Sequence, residues 1–157
     1  MSHEPARTVG EGRDELAIGY GLAGYVLKWN HGVSKDWDFG IQWEALSLGL
    51  RTKYAFINAQ ERGWSLAVAG GVGTSLGGNH YYGDLMVSYL WSAVEPYASF
   101  RYVHVSTDPV EFRNENTGEV SFTVTTPNYN YGQIFLGSRF WFSPTVSLSI
   151  ECSSFAS

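Results

Sequence analysis

The stretch S-L-G-L-R-T-K-Y-A-F, from Ser47 to Phe56, alternates between two kinds of side chain with a period of two. One set is mostly bulky and apolar: Leu48, Leu50, Thr52, Tyr54 and Phe56. The other set is small or basic: Ser47, Gly49, Arg51, Lys53 and Ala55. This alternation is typical of a β-strand with two different faces. The face that lies inside decides the fold, because an apolar interior indicates a soluble sheet and a polar interior indicates a membrane barrel.

The same alternation recurs along the chain from Asp14 onward, and no segment has the period of a helix. Between Gly21 and Gly24 the apolar residues change from even-numbered to odd-numbered positions, which indicates either a tight turn or a bulge. The sequence therefore contains eight clear strands, or nine if these glycines form a turn. Residues 1–13 are predicted to be a flexible arm, and residues 14–157 a single β-barrel domain.

Composition restricts the class of protein. Charged residues make up 16% of the 157 residues, against about 25% in typical soluble domains, and aromatic residues also reach 16%. A net charge of −5 without any basic cluster argues against a nucleic-acid partner. The single cysteine, Cys152, excludes an intramolecular disulfide and a cysteine-based metal site. We expect no metal and no cofactor, since His80 has no second ligand at a useful spacing.

The chain offers no helical route across a membrane, because no apolar run approaches about 20 residues. The start, M-S-H-E-P-A-R-T-V, is polar and is not a signal peptide. Two interpretations remain: a cytosolic protein, or an exported protein numbered without its leader.

Connections between the strands are of two kinds. Short turns such as S-K-D and S-P-T alternate with longer connections, of which the longest runs over residues 106–130. Bacterial outer-membrane barrels have the same asymmetry between their two ends. The long connection has its own alternation on either side of N-E-N-T-G-E, so we expect a hairpin that protrudes from the barrel.

The less apolar face carries balanced charge among Gly, Ala, Ser and Gln, as a narrow lumen would require. Its charged residues, the predicted lumenal charge network, are Asp38, Glu44, Arg51, Lys53, Asp84, Arg101, Arg139 and Glu151. Tryptophans concentrate toward strand ends, as in the interfacial girdles of membrane barrels. The predicted interfacial aromatics are Trp29, Trp37, Trp43, Trp64 and Trp91. A soluble barrel or sandwich would instead bury the apolar face, but solvated strand faces favour Thr, Lys and Glu over glycine.

In this pattern the chain over residues 14–155 resembles the small bacterial outer-membrane β-barrel proteins. The resemblance is carried by A-R-T-V-G-E-G-R-D-E-L-A-I-G-Y-G and by Y-A-F-I-N-A-Q-E-R-G-W-S-L-A-V-A-G-G-V-G. The final strand departs from it, because it ends in S-S-F-A-S and not in a terminal aromatic residue. The expected fold is all-β: a closed antiparallel up-and-down transmembrane β-barrel of about 8–10 strands with a protruding outer hairpin.

One stretch, F-R-Y-V-H-V-S-T from Phe100 to Thr107, suggests chemistry. His104 and Ser106 lie two residues apart, so on a strand they share a face and could form a nucleophile–base pair. The stretch resembles the lipid A 3-O-deacylases, outer-membrane barrels that use a His-x-Ser pair and a glutamate. A third group to orient His104 could be Glu111, Glu115 or Glu119, of which Glu119 is the candidate taken here, although no glutamate is clearly in register with the family. Thr107 departs from the resemblance, since the family usually has asparagine there.

The expected function is a structural or interaction role in the bacterial outer membrane. Membrane lipids and lipopolysaccharide would surround the barrel, and a protein partner would bind the hairpin over residues 106–130. The first alternative is a lipid A-modifying esterase using His104 and Ser106. The second is a soluble lipocalin-like barrel with a ligand cavity inside the apolar face.

Overall fold

The chain is almost entirely strand in a computed structural model that describes residues 4–21, 24–44, 47–59, 61–75, 78–113, 120–143 and 146–156. The strands are β1 (Asp14–Gly21), β2 (Gly24–Ser34), β3 (Trp37–Glu44), β4 (Ser47–Ile57), β5 (Gly63–Ser75), β6 (Gly78–Leu90), β7 (Val94–Thr107), β8 (Val110–Arg113), β9 (Val120–Val124), β10 (Tyr129–Trp141) and β11 (Ser147–Ala156). No helix in these ranges is long and apolar enough to cross a membrane.

Nine of the strands form one antiparallel sheet in the order β1-β2-β3-β4-β5-β6-β7-β10-β11. Gly21 pairs with Gly24, so the change of parity there is the turn of a hairpin between two strands. The remaining two strands, β8 and β9, pair only with each other between β7 and β10. The all-β, up-and-down prediction and the strand count are therefore confirmed.

The prediction of a closed barrel is not confirmed, because the sheet forms an open half-barrel. In the described part of the chain, β1 and β11 are edge strands that pair with β2 and β10 alone. The odd number of strands fixes the relative direction of the two edges, because successive antiparallel steps leave β1 and β11 running in the same direction. Direct closure would need a parallel ladder between them, whereas every neighbouring pair in this sheet is antiparallel.

The two faces of the sheet differ sharply in burial. Arg51 and Lys53 are 4% and 2% exposed, whereas Leu48 and Leu50 on the same strand are 54% and 47% exposed. The small and charged set of the opening stretch therefore faces the concave side, and the apolar set faces outward. Alanines and Met86 fill the space between the inward charges.

Residues 4–10, which we call the N-terminal segment, lie inside the half-barrel, where a flexible arm was expected. Glu4 and Ala6 are buried, at 4% and 0% exposure. A turn redirects the chain: Gly10 accepts a hydrogen bond from Arg13 N–H at 3.1 Å, and Gly12 has φ +67°. Glycine adopts this left-handed conformation without steric cost. The segment enters from the short-turn end, the end that carries the connections β2–β3, β4–β5, β6–β7 and β10–β11.

Candidate functional site

The predicted catalytic histidine lies on the outer face of β7, near the end opposite the short turns. His104 is flanked by Tyr81 on β6 and by Asn130 on β10. Its Nδ1 lies 2.7 Å from Asn130 Oδ1, and its ring lies 6.3 Å from the Tyr81 ring. With Nδ1–H donating to the amide oxygen, Nε2 is left able to accept a proton.

The structure does not assemble the rest of the predicted catalytic group. Ser106 lies beside Asn79 of β6 and is half-buried. Among the described side chains no hydrogen bond joins Ser106 to His104, and residues two apart on a strand are separated by about 6.6 Å. A nucleophile–base pair needs about 2.6–3.2 Å between its heavy atoms. Glu115, Glu119 and the side chain of Glu111 lie outside what the structure describes.

The inner face carries a second and more completely built site, around the carboxylate of Glu4. Glu4 Oε1 lies 2.9 Å from both Arg51 Nη1 and Lys53 Nζ. Glu4 Oε2 accepts a hydrogen bond of 3.0 Å from the side-chain amide of Asn30. Both carboxylate oxygens are therefore bonded to groups supplied by β2 and β4.

Burial alone would raise the pKa of Glu4, but Arg51, then Lys53 and Lys28, outweigh it and hold that pKa well below its usual range. Glu4 precedes the first strand, so this charge belongs to the N-terminal segment and not to the sheet. The segment therefore supplies an ionised carboxylate to a basic part of the concave face.

Lys53 joins the N-terminal segment to the sheet. Besides Glu4, its ammonium contacts Asp38 Oδ2 at 3.2 Å and donates to the Arg7 carbonyl at 2.8 Å. Asp38 in turn accepts the backbone N–H of Val9 at 3.0 and 3.1 Å. These contacts occupy the three donors of Lys53, which explains how a fully buried ammonium is tolerated.

Other inward charges are paired farther along the sheet, on β6 and β7. Arg101 binds Asp84 through two hydrogen bonds, at 2.6 Å from Nε and 2.8 Å from Nη2. The guanidinium lies 4.2 Å above the Tyr82 ring. Glu95 accepts from Ser88 Oγ at 3.0 Å and pairs with Arg7 at 3.4 Å, so the N-terminal segment also reaches β7.

Of the last three predicted lumenal residues, Arg139 and Glu151 lie on β10 and β11 near the open edge, and Glu44 lies at the end of β3. Arg139 Nη1 lies 3.0 Å from Glu15 Oε1, which connects β10 with β1 across the concave face. Glu151 accepts the Tyr97 hydroxyl at 3.0 Å, and Glu44 accepts the side-chain amide of Gln42. These contacts place the predicted lumenal charges on the concave face in pairs and small clusters.

The predicted interfacial tryptophans all point outward. Trp37, Trp64 and Trp91 lie at the short-turn end, Trp43 lies at the opposite end, and Trp29 lies between them opposite Ile41. The sixth tryptophan, Trp141, is on the inner face, with Arg7 at 4.8 Å from its ring.

Sequence reasoning missed Glu4, Arg7, Asn30, Glu95 and Asn130. Parity could have placed Asn30 and Glu95 on the inner face, because they alternate with Trp29 and Val94. Nothing in the sequence placed Glu4 or Arg7, since residues 1–13 have no strand periodicity.

Comparisons with protein-family models, curated proteins and solved structures found no match to this chain. Within the described ranges, no group of three or more His, Cys, Asp or Glu residues is placed to hold a metal ion.

Proposed function

We propose that this protein is a small integral protein of the bacterial outer membrane, with lipid against its outer face and a filled polar interior. Its role is structural, or is contact with a partner through the hairpin over residues 106–130. The observation that carries this function is the inverted burial, in which Leu85 is 53% exposed while Arg101 is 1% exposed. An aqueous environment would favour the opposite arrangement.

The extent of the outer apolar surface supports contact with lipid. It continues over all nine strands of the sheet, whereas the largest apolar patch on a soluble monomer covers about 300–600 Å². Tyr81 and Tyr89 on β6 are eight residues apart, which is about 26 Å along the strand. At a tilt of about 40° this is about 20 Å across a membrane, close to the apolar band of outer-membrane barrels.

In lipid, the backbone N–H and C=O groups of the open edge need hydrogen-bond partners, because an unpaired strand edge does not occur in the hydrocarbon region. We propose that β1 and β11 close the barrel there through a parallel ladder, the pairing that nine strands require. The contact between Arg139 and Glu15 supports this step, because it already joins the edge strand β1 to β10, the neighbour of β11.

The soluble lipocalin-like alternative is less well supported. It needs apolar side chains around a central cavity, but Leu48, Leu50 and Phe56 point outward, and the N-terminal segment lies in the interior. A lumen filled by its own side chains also argues against a pore.

Folding in water and in detergent tests the proposed function. We expect a β-sheet circular dichroism signal, and faster gel migration of unboiled samples, only when detergent is present. Single-tryptophan variants in vesicles of brominated lipid test the sidedness: quenching is expected for Trp29 and not for Trp141. A folded, water-soluble monomer, or equal quenching at both positions, would contradict this function.

A second candidate, an acyl-ester hydrolase, is favoured by the hydrogen bond between His104 and Asn130, because an oriented imidazole is what a general base requires. In this reaction Ser106 would attack the ester carbonyl while His104 accepts the serine proton and passes it to the departing lipid A hydroxyl. Water would then cleave the acyl-serine ester and release the fatty acid. Incubation with lipid A would then release fatty acid, and Ser106→Ala would abolish the release. No release by the wild-type protein would eliminate this candidate.

A further inference from the structure

We infer that Asn30, Arg51 and Lys53 form a carboxylate-binding site that Glu4 occupies from within the chain, and that this site takes a free small carboxylate when the Glu4 side chain is absent. The site donates to both carboxylate oxygens of Glu4, at 2.9 Å from each cation and 3.0 Å from the amide. This inference does not depend on the membrane location.

The sheet builds the site without help from its occupant. Asn30 lies on β2 and the two cations lie on β4, on either side of β3. Between them, Gly40 leaves the necessary space, because a Cβ there would lie 2.3 Å from Asn30 Oδ1 and 3.3 Å from Arg51 Cγ. The hydrogen-bonded strands β2, β3 and β4 therefore fix the backbone positions of the three donors without any contribution from Glu4.

The charges around the site favour a small anion. Positive charge from Arg51, Lys53 and Lys28 acts on Glu4, and Asp38 lies 3.2 Å from the Lys53 ammonium. The cations outnumber this neighbouring carboxylate, so a bound carboxylate offsets part of the excess positive charge. The site also has spare donor capacity, since Arg51 Nε is buried with no hydrogen-bond partner among the described residues.

Loss of the Glu4 carboxylate would leave the buried cations Arg51, Lys53 and Lys28 with Asp38 as a neighbouring carboxylate. An uncompensated buried charge is strongly destabilising, so the empty site has a driving force to take up an anion from solution. Acetate is the matched probe. Glu4→Ala deletes one methylene carbon and the carboxylate, and acetate supplies one methyl carbon and a carboxylate.

Chemical rescue tests the inference on the full chain, folded in the medium that supports the wild type. The thermal midpoint of Glu4→Ala is measured in sodium acetate and in sodium chloride at equal ionic strength. We expect acetate to raise the midpoint of this variant in a saturable way and to leave the wild type unchanged, because its site is filled. Glu11→Ala, which removes an exposed carboxylate close to the same segment, should not respond to acetate.

Glu4→Gln provides a second variant, since its amide fills the space without the charge and should respond less than Glu4→Ala. If Glu4→Ala does not fold unaided, its refolding yield in acetate against chloride becomes the readout. Equal effects of the two salts on Glu4→Ala, or an equal acetate response in the wild type, would overturn the inference.

Discussion

The ion pair between Asp84 and Arg101 shows how single residues make a charged interior tolerable. The guanidinium donates twice to one carboxylate and lies against the Tyr82 ring, so the charge is compensated within its own group. Such a pair is costly to break, because removing one partner leaves the other charge buried.

Asp84→Asn is therefore expected to lower the free energy of unfolding by about 3–5 kcal/mol. Asp14→Asn is the matched control, because Asp14 pairs with His31 at 3.0 Å while both side chains are largely exposed. That control should cost no more than about 1 kcal/mol. Urea titrations of both variants measure the difference, and losses of equal size would contradict the role of burial.

Glu4 should make stability depend on pH. Because the folded state lowers its pKa, its contribution is fully present above the unfolded pKa, about 4.3, and is lost as the pH falls through the folded value. The difference in unfolding free energy between the wild type and Glu4→Gln should be constant from neutral pH to about pH 5 and shrink below about pH 4. Unfolding curves across this range measure it. A difference independent of pH would mean that Glu4 is not ionised in the folded state.

Residue identity and strand alternation predict which charged residues point inward, but they do not predict all of their partners. Arg51 and Lys53 could be assigned to the inner face because they alternate with Leu50, Thr52 and Tyr54. Their partner Glu4 could not be predicted, because it is joined to them by long-range contacts that have no local pattern in the sequence.

Among the elements, strand periodicity was most informative where the two faces differ most. The alternation predicted two separate strands where β3 and β4 are found. At Gly21–Gly24 it left two possibilities, a turn or a bulge. It said nothing about the N-terminal segment, whose position depends on the close approach of two backbones. Gly32 N–H donates to Arg13 at 2.9 Å, and Gly12 N–H donates to Gly32 at 2.8 Å.

Gly32→Ala is expected to displace the N-terminal segment, because a Cβ at this position would lie 1.9 Å from the Gly10 carbonyl oxygen. Trypsin should then cleave after Arg7 faster than in the wild type, as measured by mass spectrometry over time. Gly83→Ala is the matched control in the same sheet, since a Cβ there meets nothing within 4 Å. Unchanged cleavage in Gly32→Ala would show that the segment tolerates a shift of its backbone.

At the level of the whole molecule, the balance of polar and apolar residues predicted the sheet but not its open edge. Closure depends on whether β1 can pair with β11, and that depends on the parity of the strand number. The turn at Gly21–Gly24 adds one strand, which moves the N-terminal segment and the long hairpin to opposite ends of the sheet. Whether the chain turns at this one place therefore decides the topology of the entire sheet.

The sidedness of the whole sheet gives the last prediction. Leu85 lies between Val68 and Phe100 on the outer face, midway along β6, whereas Val33 lies beside the turn that follows β2. In a bilayer, Leu85→Arg should cost about 2–4 kcal/mol and Val33→Arg about 0–1 kcal/mol, because the cost of a charge falls toward the interface. In water both changes would be exposed substitutions, with effects of about 0.5 kcal/mol or less. Unfolding from lipid vesicles measures both variants, and equal small losses would mean that the outer face does not contact lipid.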